Sequence, residues 1–200
     1  VDIPRVSHYR LAAHLLLAML IFAYLYWVIL ELQQKTVSFV SSRLFTNLLY
    51  VFAGVLVLQI LYGAFTAGSR AGYGYNTFPL MNGSLIAEAV FYLDPWWINL
   101  FEGTASIQFL HRWIGALLMV LAVAVYWVSL AQFELHVIRK YTIALLVVVI
   151  AQFMLGVLTL INIVPIGLAS LHQFGACVLL VVTVRLAYIV RTSQQHNVVE

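Results

Sequence analysis

An all-α fold, a polytopic bundle of membrane-crossing helices, is what three features of this sequence predict. Of its 200 residues, 64% are hydrophobic and 8% charged, whereas a soluble domain is about half apolar and about a quarter charged. Five stretches reach the roughly 20 apolar residues that a spanning helix needs. The stretches also share an internal repeat, as membrane bundles commonly do.

The spans fall at about 9–32, 44–69, 104–131, 141–162 and 166–190. Residues 33–43 make a short polar link, and 132–140 carry Glu134, His136, Arg139 and Lys140. The turn at 163–165 ends in Pro165. The one long connection is 70–103, "RAGYGYNTFPLMNGSLIAEAVFYLDPWWINLFEG". Its Trp96–Trp97 pair favours the headgroup region, so the loop is expected to lie on the membrane surface as a lid. Loops of this length usually carry function or are disordered, and the aromatic content argues against disorder.

Basic residues set the expected orientation. Lys35, Arg43, Arg139, Lys140, Arg185 and Arg191 fall on one side, against Arg5, Arg10, Arg70 and Arg112 on the other. The short loops and C-terminus then face inward, and the lid and the Pro165 turn face outward. A net charge of +3, thinly spread, gives no footprint for nucleic acid. Cys177 is the only cysteine, which excludes an internal disulfide, a Cys-x-x-Cys metal site and covalent haem attachment.

The repeat has two kinds of helix. "LQILYGAFTAG" in the second span corresponds to "AQFMLGVLTLI" in the fourth, so Gln59, Gly63 and Thr66 share one face, as do Gln152, Gly156 and Thr159. The first, third and fifth spans each begin with a histidine: His14, His111 and His172. A two-helix unit present two and a half times suggests further helices before Val1, and the absence of an initiator methionine agrees. Residues 1–43 therefore read as the last helix of an incomplete N-terminal bundle with its linker. Residues 44–192 read as a C-terminal four-helix bundle, and 193–200 as a polar tail.

Alternate helices run in the same direction, so the three histidines are expected at one depth. Neutral imidazole is a strong iron ligand, and two from facing helices can hold a haem between them. Zinc would need three or four convergent ligands, and the spans offer no acidic residue at that depth. A single intramembrane histidine is as readily explained by a hydrogen bond to a neighbour; recurrence in a repeat favours ligation. Gly115 and Gly175 are expected to let a flat macrocycle approach the backbone, or to promote helix packing. Arg10 lies one turn from His14 on the same face and suits a haem propionate, with Arg70 and Arg112 as further candidates. His8, His136 and His196 read as solvent-exposed. Glu88, Asp94 and Glu102 read as solvated, with proton transfer as their other reading.

"RAGYGYNTFPLMNG", "PWWINLFEG", "QFLHRWIGALL" and "ASLHQFGA" together resemble haem A synthase of the mitochondrial and alphaproteobacterial type. The resemblance runs from "VSHYRLAAHLLLA" to the fifth span and covers the last five helices of an eight-helix family fold. It implies that His111 and His172 hold a non-covalent haem b cofactor through its iron, and that His14 belongs to the site of the substrate, haem O. It implies oxidation of a haem O ring methyl to a formyl group, giving haem A for cytochrome oxidase. The expected partners are haem O synthase, oxidase assembly factors, membrane lipid and a second copy of the chain. The expected place is a bacterial or mitochondrial inner membrane, with the histidines toward its outer side. The partner of His14 and the family's catalytic glutamate match no residue here, so the catalytic residue is unknown and this chain alone is expected to be inactive. Two alternatives stand beside this reading: a bis-histidine cytochrome b that exchanges electrons with quinone, and a haem-free transporter or oxidase-assembly scaffold.

Overall fold

The computed structural model describes residues 7–33, 41–131 and 136–196, excepting the side chains of 136–137 and 194–196. Arg5, Lys35 and Glu134 lie outside the described residues, as do the side chains of His136 and His196. The described chain forms five helices and no strand: α1 (His8–Gln33), α2 (Arg43–Gly68), α3 (Thr104–Leu130), α4 (His136–Ile161) and α5 (Ile166–His196). Each is long and apolar enough to cross a membrane, and the chain is an integral, multi-pass membrane protein. The expected spans recur with shifted ends, the fifth extending through the polar residues after Val190.

Local chemistry sets the helix ends. The Ser42 hydroxyl accepts the Phe45 N–H at 3.2 Å, an N-cap that starts α2. At the far end of α4, Ile163 and Val164 turn through φ values of 61° and 54°. That region is strained for β-branched residues. Pro165 follows, unable to extend α4 but suited to the start of a helix.

α2, α3, α4 and α5 touch in a closed cycle, each against the next and α5 back against α2. The histidine helices α3 and α5 therefore stand on one diagonal, and the glutamine helices α2 and α4 on the other. α1 packs outside the cycle, against α2 and α5. It buries only Ala12, Met19 and Leu30. Its remaining apolar face, including Leu17, Ile21, Tyr24 and Leu25, is exposed, as expected of a helix that meets lipid.

The main core fills the half of the bundle away from the long loop. Phe45, Leu49, Phe52, Ala122, Val125, Leu145, Leu186 and Val190 are all 0% exposed there. Near that end, Arg185 lies over the Tyr141 ring at 5.5 Å and Arg191 over Trp27 at 5.2 Å. Such pairs let a basic side chain rest at an aromatic rim.

The loop 70–103 closes the opposite, or lid, end. It contains short 3-10 turns at Ala71–Tyr73 and Trp96–Leu100. Trp96 and Trp97 are exposed, yet the loop is more than a surface cover. Asn76 Nδ2 donates to the Leu160 carbonyl at the end of α4 at 2.9 Å, and Phe78 packs edge-on against Phe153 of α4 at 5.8 Å. Phe153 is about two turns in from the end of α4, so this part of the loop folds down along α4 with Phe78 still exposed.

Candidate functional site

α1, α3 and α5 all begin at the lid end, at His8, Thr104 and Ile166. His14, His111 and His172 stand six, seven and six residues beyond those starts, so the repeat delivers them in matching register. Two of the three meet. The rings of His111 and His172 face across the diagonal with centroids 6.5 Å apart and planes at 88°. Both Nδ1 atoms are buried without a hydrogen-bond partner. Leaving such an atom unpaired costs about 1–3 kcal/mol.

Two imidazoles on opposite sides of one metal ion, with bonds of about 2 Å, place their ring centres about 6 Å apart. The observed separation fits that arrangement. Among the described residues no group of three or more His, Cys, Asp or Glu side chains comes together. The donor set is thus a nitrogen pair, which suits the two axial positions of a porphyrin iron and falls short of a tetrahedral zinc site. His14 and Arg10 are exposed on α1 and stay apart from the pair.

Glycines shape the space around the pair, in a way that corrects one expectation. A Cβ at Gly115 would stand 3.1 Å from Gln59 Nε2, and one at Gly175 would overlap the Gln152 carboxamide. These glycines therefore make room for glutamine side chains rather than for a macrocycle. The glycines that meet the imidazoles are Gly63 and Gly156: a Cβ there would lie 3.2 Å from His111 Cε1 and 3.0 Å from His172 Cε1. The repeated Gln-x3-Gly motif of α2 and α4 is thus the wall against which both rings rest.

Arg112 bonds to the lid. It donates from Nη1 to the Thr77 carbonyl at 2.9 Å and from Nη2 to the Tyr75 carbonyl at 2.7 Å. Each terminal nitrogen thus makes one bond to the lid, which Arg112 pins beside His111. Arg70 is exposed and, with Tyr73, lines an open cleft of about 560 Å³ at the lid end. Glu88 and Asp94 are solvent-exposed as expected.

One other expectation changes, that for His8, while Glu102 is solvent-exposed as expected. His8 is tucked under the returning end of the lid, where Nε2 donates to the Phe101 carbonyl at 3.0 Å. Glu102 accepts a hydrogen bond from the Tyr9 hydroxyl and lies 3.8 Å from His8 Nε2. Together they fasten α1 to the lid, because the last lid residues run alongside the first turn of α1. Two buried amides were not singled out from the sequence. Gln108 donates to the Tyr75 carbonyl at 3.1 Å, and Asn99 bonds the Leu93 and Trp96 main chain at 2.7–2.9 Å. The signal was present: each is a lone amide in an otherwise apolar run, where an unpaired polar group is costly.

Residues 1–184 match the family model described as cytochrome oxidase assembly protein, COX15-CtaA. The haem A synthase of Wolbachia pipientis wMel is 42% identical over 179 residues, covering 88% of this chain and 49% of that protein. That of Bradyrhizobium diazoefficiens is 41% identical over 182 residues, covering 90% and 50%. That of Nitrosospira multiformis is 39% identical over 183 residues, covering 90% and 51%. The chain spans about half the length of the curated relatives it matches.

Proposed function

The chain belongs to the COX15-CtaA family of cytochrome oxidase assembly proteins, and from that premise we propose that it forms part of a haem A synthase. The reaction is oxidation of a haem O ring methyl to a formyl group, yielding haem A for cytochrome oxidase. His111 and His172 hold a haem b as a resident cofactor. The observation that carries this reading is the pair itself: two imidazoles from diagonal helices with ring centroids 6.5 Å apart.

Held by the two imidazoles, a haem would supply single-electron transfer rather than oxygen binding. The residues around it do the rest. His111 and His172 bind the iron from two diagonal helices, and Gly63 and Gly156 give their rings room. Arg112, Gln108 and Asn76 hold residues 75–77 of the lid against the helix ends, which keeps water from the pair. His14, with Arg10 one turn away, serves the haem O substrate site on the exposed face of α1, and Arg70 is placed for a propionate. The lid end faces the outer side of a bacterial or mitochondrial inner membrane. Haem O synthase, oxidase assembly factors and a second copy of the chain are the partners this role calls for.

The test is optical. The purified chain, loaded with haem, should show a six-coordinate, low-spin b-type spectrum. His111→Ala and His172→Ala should each abolish it. A spectrum unchanged in both variants sinks the proposal.

A further inference from the structure

The motif Gln-x3-Gly occurs in α2 and again in α4, and binding iron does not by itself require it. The geometry points to a reciprocal clasp, built twice, in which Gln59 with Gly63 orients the His111 imidazole and Gln152 with Gly156 orients that of His172. This assignment rests on the haem-binding reading above. It adds positioning residues to a site in which only the ligands were assigned.

In a helix the carbonyl of residue i accepts the N–H of residue i+4. The Gln59 carbonyl therefore points along α2 toward Gly63, and the Gln152 carbonyl along α4 toward Gly156. An ordinary side chain at the i+4 position would shield that oxygen. With glycine there, the imidazole lies against the stretch of helix that a side chain would cover: a Cβ at Gly63 would stand 3.2 Å from His111 Cε1 and one at Gly156 3.0 Å from His172 Cε1. A carbonyl oxygen has two lone pairs, so it can serve the helix and a ring N–H together. Neither Nδ1 makes that bond as the chain stands. Ligation of Nε2 by iron would leave Nδ1 as the N–H donor, and metal-bound histidines regularly place that proton on a backbone carbonyl.

The return half of the clasp is explicit on one side. Gln152 Nε2 donates to the His172 main-chain carbonyl at 2.8 Å. It reaches that carbonyl past Gly175, where any Cβ would collide with its carboxamide. Gln59 occupies the same place against Gly115. In the α4–α5 pair Gln152 thus passes a glycine of the facing helix to reach a main-chain oxygen, and the glycine contacts recur in the α2–α3 pair. The ring cannot turn about χ2 without losing its seat. That explains how two imidazoles hold nearly perpendicular planes with no side chain hydrogen-bonded to either ring.

Perpendicular axial imidazoles give ferric haem a strongly anisotropic low-spin electron paramagnetic resonance signal, while a turned ring gives a more ordinary one. Haem-loaded wild type should show the former. Gly156→Ala places a Cβ 3.0 Å from His172 Cε1 and should convert the signal. Gln152→Met, which keeps the bulk and removes the donor, should convert it in part and lower haem retention about 10-fold or more. Gly63→Ala should do the same from the His111 side. Gly54→Ala and Gly167→Ala, where a Cβ meets nothing within 4 Å, are the controls and should keep the wild-type signal. Folded Gly156→Ala and Gln152→Met variants with wild-type signal and retention would overturn the clasp while leaving the haem reading intact. If Gly156→Ala does not fold, Gln152→Met decides alone. A wild-type chain that takes up no six-coordinate haem overturns both.

Discussion

The two ends of the bundle follow opposite rules. Away from the lid, Phe45, Leu49, Phe52, Leu145 and Leu186 pack with no exposed surface, and the polar groups there are mostly threonine and serine hydroxyls bonded to their own helix. At the lid end the diagonals carry glutamine, histidine and glycine. Of the seven buried side-chain atoms without a partner among the described residues, six lie in that half: on Gln59, Gln108, His111, Arg112, Gln152 and His172. One half is built to be stable alone. The other is left with donors and acceptors that something else must satisfy, and function accounts for where the sequence tolerates them.

Substitutions can break that contrast. The largest effect should come from the packed half: Phe52→Ala opens a cavity at a fully buried ring and should cost about 3–5 kcal/mol. Thermal unfolding in detergent would measure it, and the loss should be the same with and without haem. A smaller effect of opposite sign is expected at the lid end. In haem-free protein, His172→Leu removes an unpartnered buried nitrogen and should stabilise by about 1–3 kcal/mol. With haem present, the same variant should lose the stabilisation that ligand binding gives wild type. A haem-free loss as large as that of Phe52→Ala would mean that the lid half is an ordinary core.

The same contrast explains what could be read before any coordinates. Hydrophobic runs of the right length announced all five helices, because lipid leaves a spanning chain little other choice. The register of His111 and His172 was legible from the repeat, since equal offsets in parallel helices give equal depth. The partners of the glycines were not. Gly115 and Gly175 follow the histidines in sequence, yet they meet Gln59 and Gln152 on other helices, and only helix rotation decides that. The lid was the least legible part. Gln108 and Arg112 bind its main-chain carbonyls, its Asn76 binds that of Leu160 in α4, and a carbonyl has no letter in the sequence. His8 looks like a surface residue for the same reason: its contact with Phe101 joins segments 93 positions apart.

The smallest expected effect tests how firmly the lid belongs to the site. Arg112→Gln keeps a polar side chain at the lid end but shortens it and removes the fork that holds the Tyr75 and Thr77 carbonyls. Hydrogen bonds from a charged donor are worth about 1.5–3 kcal/mol when buried, and less for a side chain that is partly exposed, as this one is. Amide exchange at residues 75–78 should therefore speed up by about 10-fold, with exchange in the packed half unchanged. Gln108 and Asn76 still tether the same stretch, so the lid should loosen without leaving. If exchange quickens equally at both ends, Arg112 supports the whole bundle and the two halves are one cooperative unit. If it quickens only in the lid, that segment opens independently over His111 and His172, as a cover over a ligand must.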